Sequence, residues 1–189
     1  MLRSTSGKLT VAFTLMLALL LSAGIAAAQA AKAPPATSTP GKDLVRDWNG
    51  VGRRLSAMAD DFPADKYDWK PTPEVRSFSE QLLHAAGYAC HVQEIAKGAR
   101  PKEEDPPRAN FKSKADVVAY VKKCFADGAK AIEAMGDAKL AETIHVDNWT
   151  VTNFGLWNSA IEHAGEHYGQ LVMYYRTNKM VPPESRPKQ

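Results

Sequence analysis

Trp157-Asn-Ser-Ala-Ile-Glu-His163-Ala-Gly-Glu-His167-Tyr-Gly-Gln170 decides how the rest of this chain is read. It sits in a run from about Trp149 to Asn178 with apolar residues at helical spacing: Phe154, Trp157, Ile161, Ala164, Leu171, Met173 and Tyr175. Within it His163 and His167 stand at i and i+4, so on a helix both imidazoles rise from one face and can reach one point in space. Two histidines that share a metal ion need that geometry. Two histidines so spaced also occur by chance on the polar face of an ordinary helix, so the pair needs company. The third nitrogen must come from another helix, and His84, in Phe78-Ser-Glu-Gln-Leu-Leu-His84, is the candidate.

Three further amphipathic stretches surround this one. From Asp43 to about Asp60, Leu44, Trp48, Val51, Leu55 and Met58 recur every three or four residues. A second helix is expected over about Glu74 to Lys97, capped by Ser77 or Thr72, with Phe78, Leu82, Ala85, Ala86, Ala89 and Ile95 inward. Ser113-Lys-Ala-Asp116 has the form of a capping box and opens a third, which runs to about Met135 and stops at Gly136. Ala141 to Asn148 has a short extended flavour, and the fourth helix is expected to start near Trp149 or Thr150. Between the first two, Pro63 to Pro73 is a Pro-bounded loop whose Tyr67 and Trp69 should pin it to the body of the domain. Gly98 to Phe111 reads as a polar, Pro-rich connection. The pattern predicts an all-α four-helix bundle of up-down type with long connections, a usual setting for metal sites built from facing helices.

Ahead of the bundle, residues 1–30 read as a signal peptide: basic Arg3 and Lys8, uncharged Leu9 to Leu21, then small residues with cleavage patterns at Ala26-Ala27-Ala28 and Ala28-Gln29-Ala30. The apolar core is short of the ~20 residues of a membrane span. The mature protein is thus expected in the periplasm or outside the cell. Residues 31–41 (AKAPPATSTPG) read as a disordered linker, and 42–189 as one domain of a length that buries a proper core. The net charge is +3, but Arg3, Lys8 and Lys32 lie outside that domain, which is near neutral and has no basic stripe. Expected partners are a small-molecule substrate, not nucleic acid and, once the leader is cleaved, no stably inserted membrane; a homodimer is left open.

Two motifs carry a resemblance. Tyr67-Asp-Trp69-Lys-Pro71-Thr-Pro73-Glu74-Val75-Arg76-Ser77, running into Phe78 to His84, resembles the second-helix entry of the DinB-like family of bacterial four-helix-bundle metal-binding proteins. His163-x-x-x-His167-Tyr-Gly-Gln170-Leu, followed by Tyr175-Arg176 and Val181-Pro182-Pro183, looks like its fourth-helix signature. The resemblance covers about residues 42 to 187 and implies a divalent metal held by His84, His163 and His167. Relatives often carry a run of adjacent histidines here; position 166 is Glu instead, which leaves the i, i+4 pair intact.

Three neutral imidazoles without a carboxylate leave a coordination position open, the arrangement of catalytic rather than structural sites. Nitrogen donors suit Zn, Ni, Fe or Cu, and donor type does not choose among them. Metal-bound water would be a nucleophile or base. Glu80 and Gln170, one turn from His84 and His167, are candidates to hold the imidazoles by their other nitrogen, with Glu162 and Glu166 close in sequence and Glu166 pointing to solvent by helical phase. Tyr88 should line the open side. His91, two turns beyond His84, reads better as a polar residue near a helix end, His145 as a loop residue without a partner, and Trp149 and Trp157 as core or pocket wall.

Cys90 and Cys124 are the only cysteines, and a bridge between the second and third helices is conceivable, as is its absence. No Cys-x-x-Cys-His is present, which excludes covalent c-type haem. Two functions from different classes remain: a metal-dependent hydrolase- or thiol-transferase-like enzyme of unnamed substrate, and a non-catalytic exported metal- or ligand-binding bundle. Characterised relatives include enzymes that use low-molecular-weight thiols; because such thiols are cytosolic, export makes hydrolysis a comparable expectation.

Overall fold

The computed structural model describes residues 38–102, 105–146 and 148–187. The signal peptide expected over 1–30, and the linker as far as residue 37, lie outside the described residues.

Four long helices carry the structure: α1 (Pro40–Asp61), α2 (Phe78–Ala96), α3 (Lys114–Leu140) and α4 (Asn153–Thr177). An antiparallel hairpin of β1 (Thr143–Val146) and β2 (Trp149–Thr152) sits between the last two. Both α1 and α2 pack along α3 and along α4, whereas α1 and α2 scarcely touch, so α1 and α2 occupy one diagonal of the bundle and α3 and α4 the other. The four-helix bundle read from the periodicity is therefore the fold. Among the described residues, no helix is long and apolar enough to cross a membrane.

Local chemistry sets the helix ends. Thr39 caps α1, its side chain accepting from the Lys42 amide, so this helix starts inside the stretch expected to be linker. Ser77 with Glu80, and Ser113 with Asp116, form reciprocal capping boxes at the starts of α2 and α3. Ser77 rather than Thr72 is thus the cap of the second helix. Gly136 does not end α3 but kinks it: at φ 65°, ψ 168° it leaves the helix, and one more turn follows to Leu140. Glycine reaches that left-handed φ without a Cβ clash.

The hairpin corrects the expected start of the fourth helix. Thr143-Ile-His-Val146 and Trp149-Thr-Val-Thr152 are β-branched and aromatic, residues that suit paired strands better than a helix's first turn. Asn153 then fastens the junction, its amide donating to the Glu142 carbonyl (2.9 Å) and its side chain to Lys139 O (2.9 Å). Thr152 caps α4 through the Gly155 amide at 3.0 Å.

The core holds two aromatic clusters. Trp48, fully buried, meets Phe125 and Trp157 at ring-centroid distances of 5.2 Å each, and its indole N–H donates to Phe125 O (2.7 Å). Phe62 stacks on Phe78 at 3.7 Å, with Tyr175 edge-on to Phe62 at 5.0 Å. The loop aromatics pin their loop as expected: the Tyr67 hydroxyl donates to Ala59 O, and Trp69 meets Tyr174 edge-on at 6.0 Å. Met173, placed on the apolar stripe of the fourth helix by its spacing, is instead 60% exposed. Tyr174 and Tyr175 take its inward place, because at about 100° per residue the buried face of α4 passes through Leu171 and these two.

Cys90 and Cys124 are joined by a disulfide that ties α2 to α3. Beside it the Gln93 amide donates to the Ala89 and Cys124 carbonyls, at 2.9 and 2.8 Å.

Candidate metal centre

The groove between α2 and α4 brings His84, His163 and His167 together. One ligating atom from each lies within 4.8 Å of the others, close enough for a single ion. Ring centroids stand 4.9 Å apart for His84–His163, 4.5 Å for His84–His167 and 4.3 Å for His163–His167. His84 comes from the second turn of α2, which its capping box orients. The other two come from one face of α4, one turn apart, as their spacing requires.

Each imidazole is held differently. His84 donates Nδ1–H to the Asp105 carboxylate at 2.5 Å, which leaves Nε2 for a ligand. Asp105 is itself gripped by Arg76, whose Nε and Nη2 lie 3.2 and 3.0 Å from its other oxygen. His167 Nδ1 meets the Gln81 amide and lies 3.2 Å from Gln170 Oε1, and Gln81 Nε2 also donates to that oxygen. His163 has no such support. Its Nε2 is buried without a hydrogen-bond partner, a state that costs about 1–3 kcal/mol. Tyr88 packs against its ring at 4.3 Å between centroids.

The electrostatics keep the centre in the form a metal takes. Burial, then the charges of His167 and His84, push the His163 imidazolium down to about 4. Burial and the charge of His84 also lower His167, against an opposing hydrogen bond from Gln170. Both are therefore neutral near pH 7, with a lone pair to give. Burial alone would raise the Asp105 carboxyl, but hydrogen bonds and charge from His84 and then Arg76 outweigh it and hold the group below the usual carboxylate range.

Most of the expected site residues are where the spacing puts them, with one exception. Glu80 does not hold His84: its carboxylate accepts from the Ser77 amide at 2.6 Å and pairs with Lys70 at 3.1 Å. A capping glutamate at N3 is drawn back to its own helix start, so it cannot also turn toward the groove. Trp149, expected as core or pocket wall, is a pocket wall: it is 55% exposed and lines a cleft with Tyr88. Gln170 does reach His167, and Glu162 and Glu166 are exposed. His91 stays outside the cluster, 6.0 Å from Tyr88 ring to ring, and His145 pairs across the hairpin, its Nδ1 3.1 Å from Thr150 Oγ1.

Asp105, Arg76 and Gln81 were not anticipated. Gln81 could have been, since it lies three residues before His84 and faces the same groove. Asp105 had no local signal, because it sits in a connection with no periodicity. Gly87 explains its approach: a Cβ there would lie 2.8 Å from Pro106, so only a bare glycine lets that loop close on α2 beside His84.

Comparison with known proteins agrees with this architecture. The family model described as the DinB superfamily matches residues 48–171. A DinB-like protein of Bacillus subtilis, known from a crystal structure, superposes with a TM-score of 0.62 at 20% identity, over 77% of this chain and 99% of its own. Another DinB-like protein, from Bacillus cereus, gives 0.61 at 15% identity over 74% of this chain and 93% of its own. At those identities the likeness speaks for the fold alone. No curated protein matches the chain.

Proposed function

Because the chain belongs to the DinB superfamily and three of its imidazoles converge in one groove, we propose that it is an exported enzyme that works on a small molecule through a divalent transition metal held by His84, His163 and His167. The observation that carries this is the buried, unpartnered Nε2 of His163 inside the cluster. A bound cation would satisfy it, as no neighbouring side chain does. The donor set fits such an ion: three imidazole nitrogens, no carboxylate among them, and a group of three that leaves a position open for substrate. Donor type alone does not choose among Zn, Ni and Fe. Bound there, the ion supplies Lewis acidity toward a water or a substrate oxygen.

The chain's own residues do the rest. Asp105 fixes the tautomer of His84 and turns Nε2 into the groove, and Arg76 keeps that carboxylate ionised. Gln81 and Gln170 orient His167. Tyr88 covers one flank of His163. Export is supported by the apolar leader and by the Cys90–Cys124 bridge, a bond that persists in oxidising compartments. That setting favours hydrolysis over thiol transfer, since small thiols are kept inside the cell.

Elemental mass spectrometry on the untagged mature protein tests the reading, with His163→Ala and His84→Ala beside it. We expect near one equivalent of a transition metal in the parent, almost none in either variant, and unchanged helical circular dichroism throughout. One equivalent retained in His163→Ala would overturn the ligand set. No metal after reconstitution would make the protein a non-catalytic binding bundle.

A further inference from the structure

Tyr88 also lines a cleft of about 260 Å³ whose walls include His91, Ile95, Val146, Trp149 and Leu156, and none of the three clustered histidines. Three elements build it: α2 gives Tyr88, His91 and Ile95, the hairpin gives Val146 and Trp149, and α4 gives Leu156. Among the described residues, no Asp, Glu, Lys or Arg lines it. Tyr88 is a wall shared with the histidine cluster, its ring 4.3 Å from that of His163 and 6.0 Å from that of His91.

Trp149 is the informative residue. Trp48 and Trp157 are fully buried, yet Trp149, on a hairpin where a helix would have continued the bundle, keeps 55% of its surface exposed at this cleft. We propose that the cleft is the subsite for a neutral, planar aromatic group of the substrate handled at the histidine centre, so this inference rests on the metal-dependent reading above. Three ring-bearing walls favour a flat group, because aromatic rings gain from offset and edge-to-face contact with one another. That no charged side chain lines it among the described residues favours a neutral one. Whole small-molecule sites run to roughly 300–1,000 Å³, so this volume takes one or two rings and leaves the remainder of the molecule to reach past Tyr88 toward His163.

Indole, a neutral two-ring compound, is a suitable probe for the mature protein loaded with Co(II). We expect it to shift the NMR signals of Trp149, Tyr88 and His91 and to perturb the Co(II) absorption band through Tyr88. Trp149→Ala, at an exposed position, should keep the fold and the Co(II) stoichiometry but weaken indole binding about tenfold or more. Cyclohexanol should bind more weakly than indole. Co(II) uptake with indole binding unchanged in Trp149→Ala, or indole signals elsewhere on the protein, would overturn the subsite and leave the metal reading standing. Failure to take up Co(II) would overturn the metal reading and the subsite with it. A concentration-dependent dimer in analytical ultracentrifugation, lost in Trp149→Ala, would put a second copy on this face and likewise overturn the subsite.

Discussion

Two successive stretches of α2 make opposite use of the same helix pair. At its start Phe78 stacks on Phe62 with Tyr175 from α4 beside them, and the polar atoms there are answered: the Tyr175 hydroxyl donates to Met58 O at 3.1 Å and that of Tyr67 to Ala59 O. Less than two turns on, His84, His163 and His167 crowd together from the same two helices, and one buried nitrogen has no partner. The first region spends its contacts on stability. The second holds like groups together at a cost, which is how a ligand site differs from a core. That the aromatic stretch is closely packed allows the histidine stretch to remain unsatisfied, because the helix positions do not depend on it.

The strongest way to break the comparison is to remove the packed stretch. Phe78→Ala deletes a fully buried ring and should cost about 3–5 kcal/mol in urea unfolding. A loss of under about 1 kcal/mol would mean that the core does not carry the groove. Reduction comes next. The Cys90–Cys124 bridge spans 34 residues, so cutting it should cost about 3–4 kcal/mol by the loop-entropy relation and lower Tm. Equal melting of the oxidised and reduced forms would remove the bridge from the account.

On the site side, Asp105→Asn should weaken metal binding about 10–100-fold without lowering the stability of the metal-free protein by a comparable amount. Affinity equal to the parent in a competitive chelator titration would show that the contact with His84 is incidental. The smallest effect is pH dependence of the metal-free protein. His163 has its folded pKa lowered to about 4, so as pH falls through the unfolded value near 6.5 the unfolded chain gains a proton that the folded one resists. Stability from this group is therefore complete above about pH 6.5 and declines toward pH 4. His163→Ala should flatten the decline in Tm measured between those limits, whereas substitutions in the aromatic cluster should leave its shape unchanged.

What the sequence alone determined was local. Helical periodicity located the four helices, Ser113 announced its own capping box, Ser77 stood beside Thr72 as a candidate cap, and the i, i+4 pair at His163 and His167 needed only the pitch of one helix to share a face. His84 could be matched to them through the motifs around it. Spacing failed where distant chain decides: Trp149 to Thr152 pairs with Thr143 to Val146 instead of lengthening α4, and Glu80 turns back to its own cap. Only the tertiary structure could place Asp105 on His84, since that contact crosses 21 residues, the rest of α2 and the connection after it, and relies on Pro106 closing over Gly87. The pairing of Cys90 with Cys124 likewise depended on which faces of α2 and α3 meet, and so did the cleft that Trp149 shares with Tyr88. Periodicity is a property of one helix, whereas contacts between elements depend on how several of them pack.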